Sequence, residues 1–192
     1  IKEDMPMIPN NPYGVSKAGA DMYVIERAHT AGLKTFLTRA FSHTGPRRGP
    51  NFSISSDAIQ IARILHNQQE PVIKIGNMKA KRIVADVRDI TDVYYLLMLE
   101  YMKGNVENGE IFHIAGNDLY EIQHYLDVML ELFDLTGKVE LEIEPKFFRK
   151  VEIPVQIPDD SKVRRLLAWE PKIPIEKRCM QRSHRALERR LK

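Results

Sequence analysis

Asn10-Asn11-Pro12-Tyr13-Gly14-Val15-Ser16-Lys17-Ala18-Gly19-Ala20-Asp21 is the stretch from which the fold is read. A helix is predicted from Gly14 to Thr30, with Val15, Ala18, Met22 and Ile25 at helical spacing and Gly32 ending it. Pro6, Pro9 and Pro12 keep the approach extended. Four residues make about one turn, so the Tyr13 hydroxyl and the Lys17 ammonium share a face. A phenol ordinarily titrates near ~10. A cation one turn away favours its phenolate, which brings such a group toward a pH where it can exchange a proton.

Working outward, Thr35 to Phe41 is largely apolar and reads as a strand of a parallel sheet. A Gly-, Pro- and Arg-rich loop follows from Ser42 to Pro50. Ile54 to Asn67 reads as a helix, Pro71 to Ile75 as a strand stopped by Gly76-Asn77, and Ile83 to Val87 as a further strand. Asp89 or Thr91 is expected to cap a helix reaching Met102. Ile111 to Ala115 reads as a strand, with His113 structural within it. Ile122 to Leu135 reads as a helix burying Tyr125, Met129, Leu132 and Phe133. Val139 to Ile143 reads as a strand, and Ser161 to Leu167 as a short helix capped by Ser161. Strands alternate with helices, so the class is α/β, a partial Rossmann-type parallel sheet with a small C-terminal lobe.

A chain of 192 residues, 43% apolar and 29% charged, can build a globular core. No apolar run reaches the ~18 residues of a membrane span, which excludes a helical membrane protein from the reading. The single cysteine, Cys179, cannot form an internal disulfide, which fits a reducing, cytoplasmic setting. The six His are scattered without ligand spacing, so no metal is expected. The net charge of +3 is local: residues 177–192 hold seven Lys/Arg against one Glu, leaving residues 1–176 net negative. That terminal run reads as a solvated basic tail, not a nucleic-acid footprint. Ile1 to Met7 reads as the inside of a loop, and a fragment is expected.

Tyr13-x-x-x-Lys17 is followed by Thr38-Arg39-Ala40-Phe41-Ser42-His43-Thr44-Gly45-Pro46-Arg47-Arg48-Gly49. Pro71 to Asn77, Ala85-Asp86-Val87-Arg88-Asp89, Phe148 to Glu152 and Asp160 to Pro171 then come in order. Together they resemble the extended short-chain dehydrogenase/reductases, and within them the GDP-mannose 4,6-dehydratases and the GDP-4-keto-6-deoxymannose reductases. The resemblance covers roughly residues 4 to 176. It implies Tyr13 as the acid/base and Lys17 on the nicotinamide ribose. His43 would border the nicotinamide, Ser42 the sugar, and Arg48 cofactor phosphate across a subunit contact. Arg82 and Arg149 would meet the substrate diphosphate or guanosine, and Glu152 its ribose.

The implied cofactor is NADP or NAD, the implied substrate a GDP-sugar, and the complete enzyme a homo-oligomer. Residues 1–53 would close the dinucleotide domain and carry the catalytic helix. Residues 54–176 would interleave the substrate lobe with returning sheet elements. No Gly-x-x-Gly-x-x-Gly phosphate loop occurs in the chain. Ile83 stands where relatives often carry Asp, and Ser42 where many carry Asn. The tail departs from the family's Leu-rich final helix, which a reading-frame change near residue 177 would explain. The dehydratase is the leading reading. A reductase or epimerase is the first alternative, and a catalytically silent remnant the second.

Overall fold

The computed structural model describes residues 1–148 and 151–179. Arg149 and most of the basic tail lie outside them. The chain opens with α1 (Pro12–Thr30), then β1 (Leu37–Ala40), β2 (His43–Thr44), α2 (Ser53–Leu65) and β3 (Val72–Ile75). It continues with β4 (Lys81–Ile83), β5 (Ala85–Asp86), α3 (Val87–Met102), β6 (Ile111–Ile114), β7 (Leu119–Glu121) and α4 (Ile122–Leu132). β8 (Glu140–Ile143), β9 (Val155–Gln156) and α5 (Ser161–Leu167) follow, and residues 175–179 are again helical.

Parallel pairing dominates. β1 runs beside β6 with Leu37 opposite Ile111, β2 beside β5 with His43 opposite Ala85, and β3 beside β8 with Val72 opposite Glu140. β4 lies between β7 (antiparallel) and β9 (parallel). Parallel neighbours need crossovers, and here α3 and α4 supply covering helices for two apolar clusters. One gathers Ile61, Ile73, Tyr125, Leu126 and Met129 between α2, β3 and α4. The other gathers Val93, Leu97, Phe112, Ile114, Val163 and Trp169 between α3, α5 and β6. Fully burying such a side chain contributes about 1.5–3 kcal/mol.

Several boundaries differ from the sequence reading, each for a local reason. α1 starts at Pro12 because Asn11 caps it, its side chain accepting the Gly14 N–H at 2.8 Å, and proline is tolerated in a first turn. Its inner stripe is Ala18, Asp21, Ile25 and Ala28, whereas Val15 and Met22 are exposed. The helix is turned by the ion pair of Asp21 with Arg39, not by its apolar residues. Asp86, not Asp89 or Thr91, caps α3: strand β5 runs straight into the helix, and the Asp86 carboxylate accepts the Arg88 N–H at 2.9 Å. Asp89 is buried inside α3, where it accepts the Lys172 and Ile173 N–H groups.

The strand expected at 83–87 divides at Val84 into β4 and β5, which pair in different sheets. α4 ends at Leu132, and Leu132 and Phe133 are only partly buried. Asp160, not Ser161, occupies the N-cap position of α5. Within the expected tail, Arg178 and Cys179 are buried rather than solvated. No helix among the described residues is long and apolar enough to cross a membrane.

Candidate active site

Tyr13 stands in the first turn of α1, which holds no acidic residue, so the positive end of the helix dipole is left without a carboxylate there. The ring is 71% exposed, and the Lys17 Nζ lies 5.5 Å from its centroid. The two side chains share a face, as their spacing predicts. By contrast Tyr125 is buried in α4, and desolvation pushes its phenol up to about 12. It is the poorer proton carrier of the two on burial alone.

Ser42 and His43 follow β1 at the carboxyl end of the β1–β6 pair, where ligands of open α/β sheets sit. The Phe41 N–H continues the ladder to the Ile114 carbonyl at 2.9 Å, and the Ala85 N–H donates to the Ser42 carbonyl at 2.9 Å. His43 Nδ1 lies 2.8 Å from the Phe41 carbonyl. A carbonyl only accepts, so Nδ1 carries a proton and donates it there.

The loop then turns sharply. Arg48 N–H closes on the Gly45 carbonyl at 3.3 Å, with Pro46 and Arg47 between them. A Cβ on Gly45 would meet Val87 Cγ1 at 2.3 Å, so only glycine fits against the start of α3. Arg48 Nη1 donates to the His43 carbonyl, and its guanidinium lies 3.6 Å from the centroid of the Phe52 ring. Burial pushes the Arg48 guanidinium below its ordinary range, while the nearby Tyr13 oxygen acts the other way. Tyr13 and Lys17 thus form one pair on α1, Ser42, His43 and Arg48 one loop, and the two are near enough for Tyr13 to act on the Arg48 guanidinium.

Arg82 and Glu152, both expected on substrate, meet each other. Arg82 Nη2 donates to Glu152 Oε1 at 2.9 Å, in a pair with side chains 12% and 26% exposed. The pair ties β4 to the segment leading into β9. Beside it, a hollow of about 310 Å³ is lined by Lys81, Tyr120, Glu121, His124 and Asp127. That hollow lies next to the Arg82 strand, not at Tyr13. His113 is buried in β6, its backbone N–H held by Glu3 Oε1 at 3.0 Å. Burial pushes its imidazole below the usual histidine range, which suits a structural ring packed edge-on against Phe41.

Sequence reasoning missed three contributors: Phe52, the Asp21–Arg39 pair, and the Asp86–Arg88 pair with two contacts at 2.8 Å. The first was legible as a large aromatic just before Ser53, where a polar cap is the rule. The other two carried no local signal.

Parallel strand pairs and a Tyr/Lys helix packed beside them define a Rossmann-type chain of the short-chain dehydrogenase/reductase class, and solved members of that class share the fold. The chain belongs to the GDP-mannose 4,6 dehydratase family, whose pattern it matches over residues 1–181. It is 28% identical over 175 residues to GDP-mannose 4,6 dehydratase 1 of Arabidopsis thaliana, covering 91% of this chain and 46% of that protein. It is 27% identical over 178 residues to GDP-6-deoxy-D-mannose reductase of Pseudomonas aeruginosa, covering 92% and 56%. The chain thus spans about half the length of the curated relatives it matches. Among solved structures, RMD from Pseudomonas aeruginosa complexed with NADPH superposes with a TM-score of 0.84 at 25% identity, over 97% of this chain and 60% of that one.

Proposed function

We propose that the protein carrying this chain is a nucleotide-sugar 4,6-dehydratase acting on a GDP-hexose, with Tyr13 as its acid/base and NADP or NAD as its cofactor. The observation that carries this reading is the exposed Tyr13 phenol with the Lys17 ammonium over the same face. An exposed hydroxyl and ammonium one turn apart suit the vicinal hydroxyls of a ribose, so the residues fit a nicotinamide nucleotide. Tyr13, Lys17 and His43 would hold it. When bound, it supplies reversible hydride transfer.

The chain's own residues then do the acid–base work. Tyr13 Oη accepts the proton of the sugar C4 hydroxyl as that carbon is oxidised, and gives a proton back when the carbon is reduced. Lys17 offsets the negative charge on the oxygen. Ser42 orients the sugar. Arg82 and Glu152 would face the nucleotide, with Arg149 a further candidate outside the described residues. The similarity to a GDP-6-deoxy-D-mannose reductase supports a second reading, in which Tyr13 only donates a proton to a C4 ketone.

Incubation of the full protein with GDP-mannose and cofactor decides between them. The dehydratase forms a 4-keto-6-deoxy product, whereas the reductase leaves GDP-mannose unchanged and consumes reduced cofactor with the keto sugar. In either case Tyr13→Phe should lower kcat by about 10²–10⁴-fold, the usual worth of a positioned acid/base. A variant retaining a third or more of wild-type turnover would remove Tyr13 from the chemistry.

A further inference from the structure

At the amino end of the β1–β6 pair, one side chain ties several segments together. Asn108 Oδ1 accepts the Thr35 N–H, just ahead of β1, at 2.8 Å. The same oxygen accepts the Tyr101 hydroxyl, from the last turn of α3, at 2.9 Å. Asn108 Nδ2 donates to the Ala28 carbonyl of α1 at 3.0 Å. The next residue completes the joint: the Gly109 N–H, shortly before β6, donates to the Thr35 carbonyl at 2.8 Å. Ala28 is also the residue that α1 buries fully, so the joint holds the end of that helix where its packing is best.

Each of the two neighbouring residues answers a structural need. A short amide offers an oxygen that accepts twice and a nitrogen that donates, which a carboxylate does not. Gly109 has φ of 79°, and a Cβ there would meet the Ala28 Cβ at 3.1 Å. The two needs fall side by side and produce the only Asn-Gly dipeptide of the sequence. Asparagine is a thermolabile residue, most of all before glycine, where no side chain hinders the following nitrogen. That backbone nitrogen gives its proton to a solvent base and bonds to the asparagine Cγ. The side-chain nitrogen leaves as ammonia, and a succinimide ring remains. Water then opens the ring to aspartate or isoaspartate, with no change of oxidation state.

In the folded chain both reacting groups are engaged elsewhere. Asn108 is exposed, so water is not kept from it. What the fold withholds is the nucleophile, whose N–H is bonded to Thr35, and the rotation of the amide, which is held at both its oxygen and its nitrogen. We propose that Asn108-Gly109 is a deamidation site gated by folding: it is protected while the joint is closed, reacts when the joint opens, and once converted cannot close again. The converted side chain presents an oxygen where the Ala28 carbonyl needs a donor, and isoaspartate also adds an atom to the backbone path. Ring closure is slow against opening, so its rate follows the population of the open form.

The test holds the full protein in warm, mildly alkaline buffer, with and without urea enough to unfold it, and follows amide-to-acid conversion by peptide mass spectrometry. In urea Asn108 should convert well ahead of Asn105, whose follower Val106 is branched at Cβ. Without urea Asn108 should convert at least about tenfold more slowly, as for a joint open less than about a tenth of the time. Tyr101→Phe keeps the ring against Phe36 and deletes one bond to the amide. It should speed conversion in buffer about fivefold and leave the rate in urea unchanged. Asn108→Asp, which mimics the product, should lower Tm by about 2–8 °C. Equal rates at Asn108 with and without urea overturn the proposal. So does Asn105 outpacing Asn108 in urea, a Tyr101→Phe rate in buffer equal to that of the wild type, or an Asn108→Asp variant that melts with the wild type.

Discussion

Asp57→Asn should flatten the dependence of stability on pH. Asp57 is the fifth residue of α2, 2% exposed, one turn from Ile54 and Ile61 in the apolar cluster. Its Oδ2 has no hydrogen-bond partner among the described residues. Burial pushes its carboxyl up to about 8 from an ordinary 3.8. The helix dipole favours an anion by about 0.3–1 kcal/mol and fades beyond the first turn, too little to reverse this. The folded pKa is raised, so the folded state holds a proton that the unfolded state has released. The stability this contributes is fully present below about pH 4 and is lost progressively as pH rises toward 8.

At roughly 1.4 kcal/mol per pH unit, the three units from pH 5 to pH 8 amount to about 4 kcal/mol. That is a large share of the roughly 5–15 kcal/mol that holds a domain together. Asparagine keeps the shape and does not titrate. Urea unfolding of both proteins at pH 5, 6, 7 and 8 measures the difference, because all other titrating groups are common to the two. The variant should gain on the wild type steadily with pH, reaching about 4 kcal/mol at pH 8. Parallel pH curves would refute the reasoning.

Two further outcomes are expected. Gly45→Ala places a methyl 2.3 Å from Val87 Cγ1 and should cost about 1–3 kcal/mol by overpacking, with part restored by adding Val87→Ala; thermal melts of the single and double variants check this. Ala168→Gly relieves a left-handed residue (φ 47°) at the C-cap of α5 and should stabilise by about 0.5–1 kcal/mol, read as a Tm rise of about 1–4 °C; an unchanged or lower Tm counts against the strain argument.

The elements legible in the sequence were those whose signal is local. All five helices α1–α5 were expected, α1, α2 and α4 from apolar spacing and α3 and α5 from a polar residue at the expected start, and β1, β3, β6 and β8 from short apolar or alternating runs. β2, β7 and β9 did not. Each has only two or three residues and exists because of a distant partner: His43 needs Ala85, and Lys81 needs both Val155 and Glu121. The site divides in the same way. The Tyr13–Lys17 face follows from helix geometry alone. The meeting of Arg82 with Glu152 joins positions 70 residues apart, and no spacing rule could supply it. Phe52 did carry a local signal, a large aromatic where a polar cap is the rule; it is 44% exposed and lies under a guanidinium.

The placement of Tyr13 is a matter of polar ties more than of packing. α1 fully buries only Ala28 along its 19 residues. Apolar contact is non-directional, so so little of it could not fix the rotation of a helix. The Arg39 fork can. Its Nε and Nη2 donate to the two Asp21 oxygens at 2.8 and 3.1 Å, and its Nη1 donates to the Glu3 carbonyl at 2.9 Å. The Glu3 carboxylate in turn takes the His113 N–H on β6. One guanidinium thereby joins the opening segment, the helix and the sheet, with the directionality of charge-assisted bonds. Asp21 lies eight residues from Tyr13, about 12 Å along the axis, so fixing the helix there also fixes the face that carries the phenol. The two halves of the candidate chemistry are then each set by an arginine: Arg39 orients the helix that bears Tyr13 and Lys17, and Arg48 holds the loop that bears Ser42 and His43.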